Sequence, residues 1–102
     1  MKYVYLIQSL ENSYYKIGIS KTPNVRLKQL STGNPSKIRL IHAFHSKYPY
    51  YVENSLHQRY AQFRKEGEWF DLSIEIEVNF LSHCNKIEEN IKFLEKNGNV
   101  FI

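Results

Sequence analysis

Cysteine is all but missing from this chain. Cys84 stands alone among 102 residues, which excludes an internal disulfide and a cysteine-based zinc site and leaves the thiol as a core residue. The four histidines, His42, His45, His57 and His83, show no zinc-ligand spacing. Long hydrophobic runs are missing too. The apolar stretch after Lys2 is short and meets Gln8 and Glu11, which reads against a secretory signal. Nothing approaches the ~20 apolar residues of a membrane span. The chain therefore reads as intracellular and cytoplasmic, with no membrane partner. With no linker, repeat or low-complexity segment, residues 1–102 read as one domain.

Acidic residues are absent from one long stretch. Residues 16–39 hold Lys16, Lys21, Arg26, Lys28, Lys37 and Arg39 and neither Asp nor Glu. Glu75, Glu77, Glu88, Glu89 and Glu95 crowd the C-terminal part, against Lys86 and Lys92. The net charge of +4 is only mildly basic, so placement says more than the total. It assigns the anion-facing surface to the front half. The 42% apolar and 24% charged composition is that of a globule rather than a disordered tail. Eight tyrosines can fill a core, but they also suit surfaces where bases stack or phosphates accept hydrogen bonds.

Residues 2–8 and 14–20 alternate with a period of two around the turn-like Ser-Leu-Glu-Asn-Ser, which predicts an antiparallel hairpin. Val4 and Leu6 share one face with Tyr15, Ile17 and Ile19; Tyr3, Tyr5 and Ile7 share the other with Lys16, Gly18 and Ser20. A helix follows over about 23–30, with Thr22 as N-cap, Pro23 at the first position and Gly33 in the turn beyond. Pro23, Leu27 and Leu30 form its buried stripe, and Arg26 lies beside it. Residues 36–44 predict a third strand, with Ile38, Leu40 and His42 on one face and Arg39, Ile41 and Ala43 on the other. Pro49 opens a second helix to about Phe63, with Val52, Leu56, Tyr60 and Phe63 as its stripe. Glu53 and His57 share a face of it at i and i+4. Ser73 then caps a last helix over about 74–96. The order β-β-α-β-α-α is a small α+β domain, a three-stranded antiparallel sheet with flanking helices.

Tyr5, Lys16, Arg26 and Glu53 are the residue types that metal-assisted cleavage of a phosphodiester requires. A tyrosine beside a cation favours its phenolate, and Lys16 supplies that cation or, partly desolvated, acts as base itself. Arg26 bonds two phosphate oxygens at once. Glu53 offers one hard oxygen ligand, sufficient for a Mg²⁺ that keeps most of its water. Gly18 leaves room for the Tyr5 ring or a phosphate. His57 orients Glu53, assists proton transfer, packs on Trp69, or is purely structural. The bland alternative places Tyr5 half-buried in a strand, Lys16 in solvent, and Arg26 and Glu53 in surface ion pairs of little worth. Glu68 and Trp69 read as scaffold, with Trp69 in the core.

The ordered set resembles the GIY-YIG nuclease superfamily. Tyr3-Val4-Tyr5 resembles its first signature and Lys16-Ile17-Gly18 its second, while Arg26 and Glu53 match its helical arginine and metal-binding glutamate. The branch named for the T5orf172 and meiotically up-regulated gene 113 domains is similar in more detail. It pairs Lys-Ile-Gly with Arg-x-x-x-Leu, Glu-x-x-x-His and Gly-Glu-Trp-Phe, found here at Arg26 to Leu30, Glu53 to His57 and Gly67 to Phe70. The resemblance spans about residues 3–72. Two positions depart from the wider superfamily: Tyr3 replaces its first glycine, and Lys16 a tyrosine proposed to activate water.

The resemblance implies a mixed α/β fold and metal-dependent hydrolysis of nucleic acid, with many members in phages and viruses. The expected activity is a Mg²⁺- or Mn²⁺-dependent endonuclease acting on DNA rather than RNA. Tyr5, Lys16, Arg26, Glu53 and His57 are its expected catalytic residues, with Glu53 on the metal. Tyr3, Gly18, Lys21, Lys28, Lys37 and Arg39 are expected along the nucleic acid. The residues leave open a binding module without catalysis and a protein-interaction domain on the same fold.

Overall fold

Alternation in the first twenty residues becomes a hairpin. In the computed structural model, which describes residues 1–32 and 37–98, β1 (Lys2–Ser9) pairs antiparallel with β2 (Tyr15–Ser20). Tyr3, Tyr5 and Ile7 face Ser20, Gly18 and Lys16, and Leu6 faces Ile17, as the parity requires. The turn expected at Gly33 lies outside the described residues.

On the other side of β1 lies β3 (Ile38–Ser46), again antiparallel. Its register slips between Leu6 and Ile7, because Ile41 is an extra residue on the β3 side. The bulge corrects the expected faces. Ile38 and Leu40 remain on the Tyr5 face, but His42 crosses to the opposite one, beside Leu6, where its ring stacks 5.9 Å from Phe80.

The sheet has four strands rather than three, in the order β3-β1-β2-β4. The added strand β4 (Trp69–Phe70) pairs with Tyr15 and Lys16 of β2. Two residues are too few to show a period, so no alternation announces them. Phe70 is fully buried, whereas Trp69 is only half-buried on the edge, so Phe70 fills the core in place of the expected Trp69.

Helix α1 (Pro23–Thr32) lies on the Tyr3–Tyr5 face, with Pro23, Leu27 and Leu30 half-buried and none fully so. The other face carries the core. There α2 (Pro49–Arg59) and α4 (Phe80–Lys96) bury Val52, Leu56, Phe80, Cys84 and Ile87 against Val4, Leu6, Tyr15 and Ile17. Each large apolar side chain taken out of water there contributes about 1.5–3 kcal/mol. Cys84 is fully buried, and burial first of all pushes its thiol up to about 12, so it is inert packing.

α2 ends earlier than its stripe suggested, at Arg59, and a 3-10 turn (Ala61–Phe63) continues the chain. The last helix is two. α3 (Ile74–Val78) starts at Ser73, whose side chain accepts from the Ile76 N–H, and α4 restarts after Asn79. The Asn79 backbone N–H and side-chain amide both donate to the Glu75 carbonyl, at 3.0 and 2.9 Å. That local competition interrupts the helix.

One buried acid locks the frame. Glu88, on the apolar face of α4, accepts from the Ser46 hydroxyl at 2.6 Å and the Lys47 N–H at 2.8 Å. These contacts tie the end of β3 and the approach to α2 to α4. Burial pushes the Glu88 carboxyl up, but these bonds and nearby Lys92 together hold it below its ordinary value.

Candidate active site

Several of the expected site residues lie on or beside the second strand. Tyr5 is buried, and its ring crosses directly over Gly18, its cross-strand partner. A Cβ on residue 18 would overlap the Tyr5 hydroxyl and ring, so glycine is required for the close approach. Lys16 lies on the same face, opposite Ile7.

β4 covers β2 only at Tyr15 and Lys16. Past that point a side chain takes over. His57 Nε2 donates to the Ile17 carbonyl at 3.1 Å, which places the proton on that nitrogen, and its ring tilts against Phe70 at 5.4 Å. The sequence had offered Trp69 as its packing partner; the neighbour is Phe70.

Glu53 stands one helical turn before His57, half-buried, beside the fully buried Val52. Its carboxylate makes no hydrogen bond or ion pair among the described residues. Burial raises its pKa above the ordinary value and the Glu68 charge adds to this, while His57 opposes. Glu68 itself is held below its ordinary value by Lys16, whose ammonium lies 2.7 Å from it. Gly67, with φ of +65°, makes the turn that presents Glu68 just before β4. Lys16, Glu53, His57 and Glu68 thus form one electrostatically linked group at the edge of β2, next to the Tyr5–Gly18 contact. Glu68 is the member that sequence reasoning took for scaffold. Its place in the Gly-Glu-Trp-Phe box, two residues from a buried Phe, was the available signal.

The remaining expected residues are spread more widely. Arg26 is exposed on α1, on the Tyr5 side of the sheet, flanking the stripe of Pro23, Leu27 and Leu30, and has no side-chain partner among the described residues. Tyr3 is half-buried on that same face and stacks on His45 at 4.6 Å. Lys21, Lys28 and Lys37 are exposed. Arg39 is set apart: it pairs across from Gln8 on the α2–α4 side and donates to Gln8 Oε1 at 3.0 Å. Tyr3, Tyr5, Lys16, Gly18 and Arg26 therefore share the α1 face of the sheet; Glu53 and His57 come from α2 on the other face and are linked to Lys16 through Glu68 at the edge of β2, and Arg39 also lies on the α2–α4 side.

Among the described residues, no group of three or more His, Cys, Asp or Glu side chains is arranged to hold a metal ion. Glu53 nonetheless has the chemistry for a weakly ligated hard cation. It is a single unpaired carboxylate whose raised pKa a divalent ion would offset. Among the described residues no helix is long and apolar enough to cross a membrane.

The T5orf172 domain model matches residues 2–87 of the chain. No curated protein and no solved structure matches significantly.

Proposed function

We infer that this chain, which belongs to the T5orf172 domain family within the GIY-YIG nuclease superfamily, is a metal-dependent endonuclease that hydrolyses phosphodiester bonds in DNA. The observation that carries the reading is Glu53: a half-buried carboxylate, unpaired among the described residues, kept beside His57 and Glu68, where stability alone favours an apolar or paired residue.

The reaction joins a water oxygen to phosphorus and breaks one bridging P–O bond, giving a phosphate monoester and a free hydroxyl. Tyr5, as the phenolate that Lys16 on the same face favours, accepts the water's proton and becomes the neutral phenol. The burial of Tyr5 over Gly18 fixes where its oxygen can be, so little ordering is left for the reactive complex. Arg26 grips two nonbridging oxygens and meets the charge that builds there. With no side-chain partner among the described residues, the guanidinium is open to phosphate. His57, anchored on the Ile17 carbonyl, keeps the Glu53 turn of α2 against the edge of β2. When bound, a Mg²⁺ or Mn²⁺ on Glu53 neutralises phosphate charge and stabilises the leaving oxygen.

The test is nicking of plasmid and single-stranded DNA with Mg²⁺ or Mn²⁺, with Glu53→Ala in parallel. Cleavage by wild type that disappears in Glu53→Ala, with binding retained, supports the assignment. A second reading, a catalytically inactive nucleic-acid-binding module, draws on Lys16: it stands where the superfamily has a tyrosine, and Glu68 already engages it. Wild-type protein that binds DNA and cleaves no substrate with either metal selects that reading.

A further inference from the structure

Next to Tyr5 the surface opens into a cleft of about 460 Å³ that the proposed hydrolysis does not use. Tyr3, Leu40 and Ala43 of the sheet line one side; Lys21, Asn24 and Val25, at the start of α1, line the other. The size falls within the usual range for small-ligand sites, roughly 300–1,000 Å³.

Three features say what it would take. First, the wall is aromatic. Tyr3 and His45 are cross-strand partners whose rings stack at 4.6 Å and 24°, and His45 is exposed. A stacked pair at a surface suits a further planar ring, and Val25, 52% exposed, adds apolar surface where water is readily displaced. Second, the surroundings are basic. Residues 12–52 contain seven Lys and Arg and neither Asp nor Glu, so every lining residue except Tyr3 comes from an acid-free part of the chain, and a polyanion is the complementary partner. Third, Ala43 serves both places. It pairs directly across from Tyr5 in the sheet and also lines the cleft, so an occupant lies within about 5 Å, one strand spacing, of the Tyr5 rung.

We propose that this cleft is a subsite for one unpaired nucleobase adjoining the phosphate handled at Tyr5, so that the preferred substrate is single-stranded or locally opened nucleic acid. A paired base buries its faces against its neighbours and cannot enter; an unpaired base stacks on Tyr3, meets the Asn24 amide at its polar edge, and leaves its phosphate to Lys21. This rests on the nuclease reading for its place beside a scissile phosphate, but not for the binding itself.

The experiment measures binding of metal-free protein to three probes by fluorescence anisotropy: single-stranded oligothymidylate, an abasic strand of the same length, and a duplex. The expected result is about tenfold weaker binding of the abasic strand than of oligothymidylate, the scale of losing one stacked base. Ala43→Leu, which projects a larger side chain into the cleft beside the Tyr3 ring, should cost oligothymidylate binding to the same extent and leave duplex binding unchanged. Equal affinity for the abasic and thymidine strands overturns the proposal, as does an equal effect of Ala43→Leu on strand and duplex. The abasic comparison uses wild-type protein and stands even if Ala43→Leu fails to fold. Cleft-dependent binding without cleavage in Mg²⁺ sinks the nuclease reading and leaves the subsite. Absence of binding to every probe sinks both.

Discussion

The Tyr5 ring lies across Gly18, covering the backbone of a strand residue that has no side chain of its own. An aromatic over a cross-strand glycine shields backbone hydrogen bonds while the ring gains a flat seat. In Gly18→Ala the new methyl meets the Tyr5 hydroxyl and ring, so the ring must leave. Overpacking of this kind costs about 1–3 kcal/mol. Denaturant unfolding should show that loss, and cleavage should fall further than stability does, because the hydroxyl is displaced. A variant with wild-type stability and turnover would mean that the contact is dispensable.

Glu68→Gln probes the carboxylate that holds Lys16. Because Lys16 depresses the Glu68 pKa, the pair adds stability above the ordinary carboxyl value and loses it as pH falls through the lowered one. The Glu68 side chain is 68% exposed, so that stability is small and thermal unfolding should barely change. Nucleic-acid binding should tighten, and its dependence on salt should steepen by about one counterion, as Lys16 becomes free to meet phosphate. An unchanged salt slope would show that Lys16 does not face the nucleic acid.

Glu88 makes a structural control outside the proposed catalytic set. Glu88→Ala strips the Ser46 hydroxyl and the Lys47 N–H of their acceptor at a buried place. The expected loss is about 2 kcal/mol, the scale of a hydrogen bond to a charged group. Since the folded-state pKa is lowered, wild type should lose this advantage as pH falls through that value, and the gap to Glu88→Ala should narrow in acid. Turnover measured well below the melting temperature should stay near wild type.

How much of this was legible in the residues follows from the range of each signal. Local alternation assigned the faces of β1 and β2 correctly, because Tyr5, Lys16 and Gly18 lie in a hairpin closed by a short turn. It failed at His42, because the bulge at Ile41 is set by pairing with β1 and leaves no mark in the strand's own pattern. It also missed β4, whose two residues are strand only because β2 offers an edge. In the site, Glu53 and His57 were readable as an i, i+4 pair. Glu68 was not, because its partner Lys16 lies fifty-two positions away and only the fold brings them to 2.7 Å. Arg39 fitted the charge pattern, yet it lies on the α2–α4 side of the sheet, because a count of cations along the chain ignores which face each one takes.

Glu53 itself offers the sharpest test, because its stability and its function should move in opposite directions. Burial, helped by Glu68, raises its pKa against the opposing effect of His57. A carboxyl with a raised folded-state pKa costs stability once ionised. The cost is absent below the ordinary glutamate value, grows as pH rises through the raised one, and is complete above it. Glu53→Gln, nearly the same shape without the charge, should therefore melt at a higher temperature than wild type near neutral pH, and the advantage should vanish in mild acid. Mg²⁺ should narrow it as well, raising the melting temperature of wild type but not of Glu53→Gln, because a ligand bound only to the folded state stabilises it. Metal-dependent cleavage should be lost in the same variant, while DNA binding stays intact or tightens as a negative charge facing phosphate goes. Both shifts together are the pattern expected of a residue retained for chemistry at the expense of the fold. If Glu53→Gln is no more stable than wild type near neutral pH, and Mg²⁺ shifts both proteins equally, Glu53 neither carries the strained charge nor holds the metal.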